Sequence, residues 1–272
     1  IAPHGIGPRR GNRAGSPPPS GGPPPRLPAA PRGATLGVRE QRRPPTMCFS
    51  ATASFAAAGV LTAAGAVSLT AARRRRLGLG LTAFAAFPLL FGVQQAIEGL
   101  VWLGLEGALP AAWTPWTSAG FLFFALFLWP AAGPVTGWLI ETRPARRRVF
   151  AGLAVLGTAL GAALFSTAMA GARPPAAGLA TGGHVVYPFD LRFPAGIELA
   201  YFVIASAAMI GSSNPDARLF GAALAASFAL TLTVWNPAVL PSVWCYFAAI
   251  CSLVALRAAL RGPAPTGPAA AA

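Results

Sequence analysis

The sequence predicts an all-α fold: a polytopic transmembrane helix bundle of seven spans, amino terminus outside and carboxyl terminus cytoplasmic. Three observations predict it. Seven long apolar stretches follow one another from Cys48 onward. Nearly all the arginine beyond that point falls in every second gap between them. Most of the tryptophans gather at the opposite boundary.

Composition sets the class. The chain has 272 residues, 54% hydrophobic and only 10% charged, where a soluble domain carries about 25% charged residues. A spanning helix needs roughly 20 apolar residues. The candidate spans are approximately 51–72, 79–105, 116–140, 149–171, 195–212, 219–236 and 241–260. The turn Ser212-Ser213-Asn214-Pro215-Asp216 separates the two short spans, five and six. Pro130 and Pro134 should bend span three. Gly157 and Gly161 give span four the small-residue spacing that lets helices approach closely.

The arginines orient the bundle. Arg73 to Arg76 fill the first gap, Arg143 and Arg146 to Arg148 the third, Arg218 the fifth, and Arg257 and Arg261 follow the last span. Only Arg173 and Arg192 fall on the other side. Positively charged loops stay in the cytoplasm, which places the mature amino terminus outside. Trp102, Trp113, Trp116, Trp235 and Trp244 then fall near the outer boundary as an aromatic belt, with Trp138 its inner counterpart. The net charge of +14 is spread along span boundaries rather than gathered into one patch, which argues against nucleic acid as a partner. The lipid bilayer is the partner the pattern implies.

Residues 1–46 differ from the rest. Proline, glycine and arginine dominate, and no apolar run is present that could bury a core. The expectation is a disordered segment that is not translated, with the protein starting at Met47. The domain of seven helices then covers residues 47–261, and 262–272 form a disordered tail.

Few ionisable groups lie inside the spans, where they are costly and often functional. Gln94, Gln95, Glu98 and Trp102 of span two are three or four residues apart and share one helical face. That face must look into the bundle. It serves either as a polar clamp between helices or as a site for a solute, proton or metal. Cys48, His184 and Cys245 fall on the outer half, where soft thiolate and imidazole ligands suit zinc or copper. A Cys48–Cys245 disulfide and free buried cysteines are the other readings of the same residues. Glu198 opens span five from outside. The chain has no lysine, which excludes a retinal Schiff base. His184 is the one histidine beyond residue 46, too few for a membrane hydrolase built on several histidines around zinc.

The run Met47-Cys48-Phe49-Ser50-Ala51-Thr52-Ala53-Ser54-Phe55 resembles the opening of an uncharacterised bacterial multi-pass membrane family. Four further segments look similar: Phe91 to Gln95 through Glu98-Gly99 and Trp102; Trp129-Pro130; His184 to Tyr187; and Ser242 to Ala249. The resemblance covers about residues 47–260 and implies the bacterial inner membrane. It implies no activity, because the family is a domain of unknown function.

Three functional classes follow. The first is a small-solute or ion carrier, or a ligand sensor, using Gln94, Gln95, Glu98 and Trp102. The second is an outward-facing redox or metal-handling protein using Cys48, His184 and Cys245. The third is a structural membrane subunit without chemistry, so an enzyme is not the expectation.

Overall fold

A computed structural model describes residues 50–171, 176–179, 185–187, 196–234 and 240–261. Cys48, His184, Asp190 and Trp235 lie outside the described residues, as do 1–49 and 262–272. The described chain forms seven helices: α1 Ala51–Arg74, α2 Leu79–Leu105, α3 Ala111–Ile140, α4 Pro144–Ala168, α5 Ile197–Ile210, α6 Pro215–Val234 and α7 Pro241–Arg261. Six are long and apolar enough to cross a membrane.

The exception is α5. Its 14 residues rise about 21 Å, short of a hydrocarbon core of about 30 Å. The expected span 195–212 is cut at both ends. Gly196 takes a left-handed φ of 94° just before the helix, and the helix ends at Gly211. Seven spans therefore shrink to seven helices, six of them of spanning length.

Local chemistry sets the helix boundaries. The Ser50 hydroxyl caps α1 by accepting from the Ala53 amide at 3.2 Å. Arg76, with φ 50°, turns the chain out of α1. Asn214 caps α6 through the amides of Asp216 and Ala217, both at 3.0 Å.

Before Pro130 the winding of α3 changes. Residues Phe123–Leu128 widen into a π-helical turn, and the Trp129 amide reaches back to Phe124 O. Ala125 O would next meet Pro130, which has no N–H. The Tyr201 hydroxyl of α5 takes that carbonyl instead, at 2.5 Å. The glycine pair of α4 packs against this turn. A Cβ on Gly157 would come within 2.0 Å of Pro130 O, and one on Gly161 within 2.9 Å of Phe127 O. Close backbone approach is thus what the expected spacing provides.

The junctions between helices meet at an arginine-rich end. Arg146 Nη1 donates to Gly211 O at 3.1 Å, and Arg257 pairs with Asp216 at 3.2 Å. The Arg147 guanidinium sits 5.3 Å over the Trp138 ring. Glu141, at the end of α3, accepts from the amides of Thr142 at 3.1 Å, Arg143 at 2.9 Å and Ser213 at 2.8 Å, and from the Ser213 hydroxyl at 2.6 Å. Burial opposes its ionisation, but these hydrogen bonds outweigh burial and hold the carboxyl below its ordinary value of 4.5.

Two short strands, β1 Gly178–Leu179 and β2 Val185–Val186, pair antiparallel between α4 and α5, with Gly178 opposite Val186. Beside them, Tyr187 is buried and stacks on Phe121 of α3 at 4.8 Å. The Ala177 amide donates to Ser118 Oγ of α3 at 3.0 Å. Ala177 and Tyr187 thus pack onto α3.

Candidate functional site

The polar face of α2 turns inward as its spacing requires. Gln94 and Gln95 are fully buried, Glu98 is 2% exposed and Trp102 is 6% exposed. Each helix turn adds one member to the stripe, and α7 and α3 meet it. Ser242 Oγ of α7 donates to Glu98 Oε1. Gln95 Nε2 donates to Glu98 Oε2 at 3.1 Å. Trp129 Nε1 of α3 donates to Gln94 Oε1 at 2.7 Å.

The bonding is incomplete. Among the described residues, Gln94 Nε2, Gln95 Oε1, Tyr187 Oη and Trp244 Nε1 are buried here with no hydrogen bond of regular geometry, as is Asp216 Oδ1 at the arginine-rich end. Cys245 adjoins Gln94. Buried polar atoms are nearly always bonded, so a cluster of exceptions calls for an explanation. Burial, and then the charges of Glu98 and Cys245, push the Tyr187 phenol well above its ordinary value, so it stays a neutral donor.

Two cavities adjoin this cluster. One of about 90 Å³ is lined by Ala125, Leu126, Leu164, Ile197, Glu198, Tyr201, Phe228, Pro241, Trp244 and Cys245. Glu198 is exposed at the start of α5, so the cavity reaches the surface beside the short helix. The other, about 30 Å³, shares Tyr201, Trp244 and Cys245 and continues to Phe87, Phe91 and Trp129. A void needs roughly 10–15 Å³ to hold a water, so the larger one has room for several waters or a small solute. Aromatic faces build the walls: Phe91 stacks on Trp129 at 3.7 Å, and Tyr201 and Phe228 meet Trp244 edge-on at 5.7 and 5.1 Å.

Of the expected site residues, the structure brings together Gln94, Gln95, Glu98 and Trp102, and adds Cys245. Cys48 and His184 lie outside the described residues, so the outward metal or redox cluster is represented by Cys245 alone, which is free and buried. Among the described residues no three of His, Cys, Asp and Glu gather to hold a metal ion.

Sequence reasoning missed four members: Trp129, Tyr201, Ser242 and Trp244. Trp102 was expected both on the inward face and in a boundary belt, and Trp244 in the belt; both are buried. Their ring edges are spent on packing inside the bundle. Trp113 and Trp116 are 60% and 68% exposed. A signal for Trp129, Ser242 and Trp244, though not for Tyr201, existed in the segments that carry the family resemblance. Gln94 to Trp102, Trp129, Tyr187 and Ser242 to Cys245 are far apart in sequence and converge here.

A family model described as a family of unknown function (DUF6629) matches residues 47–270. No curated protein and no solved structure matches the chain.

Proposed function

The chain belongs to this family of unknown function, and we propose that it binds a small polar solute inside its bundle, as a carrier or a membrane sensor. The observation that carries the reading is the set of unmet buried groups, one of which, Trp244, lines a cavity together with Cys245, the neighbour of Gln94. Gln94 Nε2 has only the Cys245 sulfur beside it, Trp244 Nε1 lacks an acceptor, Gln95 Oε1 lacks a donor, and the Tyr187 hydroxyl lacks both. A solute with donors and acceptors would complete them. A purely structural clamp gains nothing by leaving them open, because each unmet group costs about 1–3 kcal/mol.

The arginine-rich end faces the cytoplasm of a bacterium in this reading. The cavity beside Glu198 then opens toward the outside.

The test uses the purified full chain and its thermal unfolding in panels of amino acids, amines, short carboxylates, sugars and inorganic ions. A solute at a hundred times its Kd stabilises by about 2.7 kcal/mol. One chemical class is expected to raise the Tm, and Glu98→Gln to abolish that rise while the fold persists. If no class acts and Glu98→Gln only lowers stability, the cluster is a structural clamp. Bound zinc or copper that is lost in Cys48→Ser would instead favour the outward-facing metal reading.

A further inference from the structure

A second feature lies on the outer face of the bundle, away from the interior cluster. A groove of about 480 Å³ runs between α1 and the last turn of α7. Its floor is Ala66, Val67, Thr70 and Ala71, with Leu260 as the far wall, and Arg74 and Arg75 close one end. We propose that this groove binds an anionic phospholipid, with one acyl chain along α1 and the phosphate between Arg74 and Arg75.

Length is the first argument. From Ala66 to Arg75 the helix rises about 14 Å. One leaflet of a hydrocarbon core of about 30 Å is about 15 Å deep. The groove therefore spans one leaflet, from its middle to its headgroup level. Charge is the second. Among the described residues neither arginine has an ion-pair partner. The acids of this rim are engaged elsewhere, Asp216 with Arg257 and Glu141 with its four donors. Among the described residues no acid lines the groove to hold the ammonium of a zwitterionic headgroup. The apolar floor, useless to free phosphate, suits an acyl chain. The proposal stands whether or not the interior cluster binds a solute.

The experiment is native mass spectrometry of the full chain in neutral detergent. Phosphatidylglycerol and phosphatidylcholine of identical chains are titrated separately, with inorganic phosphate as competitor. One phosphatidylglycerol should be retained in preference to phosphatidylcholine, and phosphate should not displace it. An arginine near an anionic headgroup is worth about fivefold in affinity, so Arg74→Gln with Arg75→Gln should weaken retention roughly thirtyfold. Val67→Trp fills the groove without changing charge and should also expel the lipid. Val67 is 52% exposed, so this variant keeps the test decisive if the arginine pair fails to fold. Arg143→Gln with Arg148→Gln removes the same charge at another junction and should leave retention intact. Equal loss from both arginine pairs, equal retention of phosphatidylcholine, displacement by phosphate, or no effect of Val67→Trp would overturn the proposal.

Discussion

Glu141 and Glu98 are both buried acids, 3% and 2% exposed, yet they are bonded in opposite ways. Glu141 ends α3 at the arginine-rich rim and receives four hydrogen bonds from two junctions. Both its oxygens are satisfied, and it fastens the start of α4 to the turn before α6. Glu98 has one donor on each oxygen, and the groups around it are left with unmet donors and acceptors. At the rim Glu141 is finished by the protein alone, and Asp216 Oδ1, which has no hydrogen bond, is held by the Arg257 ion pair. The interior is built short, beside an empty volume. The difference teaches how to tell a clamp from a binding site when both consist of buried polar residues: count what remains unsatisfied rather than what is polar.

The largest expected effect tests the finished half. Glu141→Ala leaves three amides and a hydroxyl without their acceptor. Hydrogen bonds to a charged group are worth about 1.5–3 kcal/mol each, and new water will replace part of them. The expected loss is about 3 kcal/mol, measured by denaturant or thermal unfolding in detergent. Acid should reveal the same residue. The folded state favours the ionised carboxyl, so its stabilisation is complete above the unfolded value of 4.5. It is lost as the pH falls below that value toward the lower folded one. The wild type should therefore lose stability below about pH 4.5, and Glu141→Gln should lose less. Equal acid sensitivity would remove Glu141 from the rim's bonding and break the contrast.

Much of this was legible in the sequence, and the gaps have physical causes. The face of Gln94, Gln95, Glu98 and Trp102 follows from helical period alone, and its inward direction from the cost of a carboxylate in lipid. The partners do not follow, because Ser242 meets Glu98 across 144 residues and no periodicity links two helices. Glu141 was invisible for the same reason, its second junction lying 72 residues away. The length of α5 was misjudged because hydropathy does not register the left-handed Gly196 that stops it. The burial of Trp244 was misjudged because an aromatic ring near a boundary packs inward or outward with equal hydropathy.

Two tyrosines carry the contrast into the interior itself. Tyr201 donates to Ala125 O, the carbonyl that Pro130 leaves without an amide. Tyr201→Phe keeps the ring and leaves that carbonyl buried and alone. It should cost about 1–3 kcal/mol, measured by thermal unfolding in detergent. A neutral result would mean that the π-helical turn relaxes to satisfy itself, and that the interior tolerates unmet groups generally.

The smallest effect should come with the opposite sign. Tyr187 is 6% exposed, stacks on Phe121, and has no partner for its hydroxyl. Tyr187→Phe keeps the stacked ring and removes only the unmet oxygen. Deleting a buried group that was never bonded relieves its desolvation, so stability should rise by about 0.5–1 kcal/mol. The same substitution at Tyr201 lowers it, although both side chains are phenols within the same bundle. Chemistry and size are held constant, so the sign reports bonding alone. A solute that completes the cluster would reverse the order, because the Tyr187 hydroxyl would then have a partner to lose. Thermal unfolding of both variants, with and without the solute that shifts the wild type, reads all four cases. A loss at Tyr187 equal to that at Tyr201 without solute would mean that both are bonded alike, and the interior would then be a finished clamp like the rim.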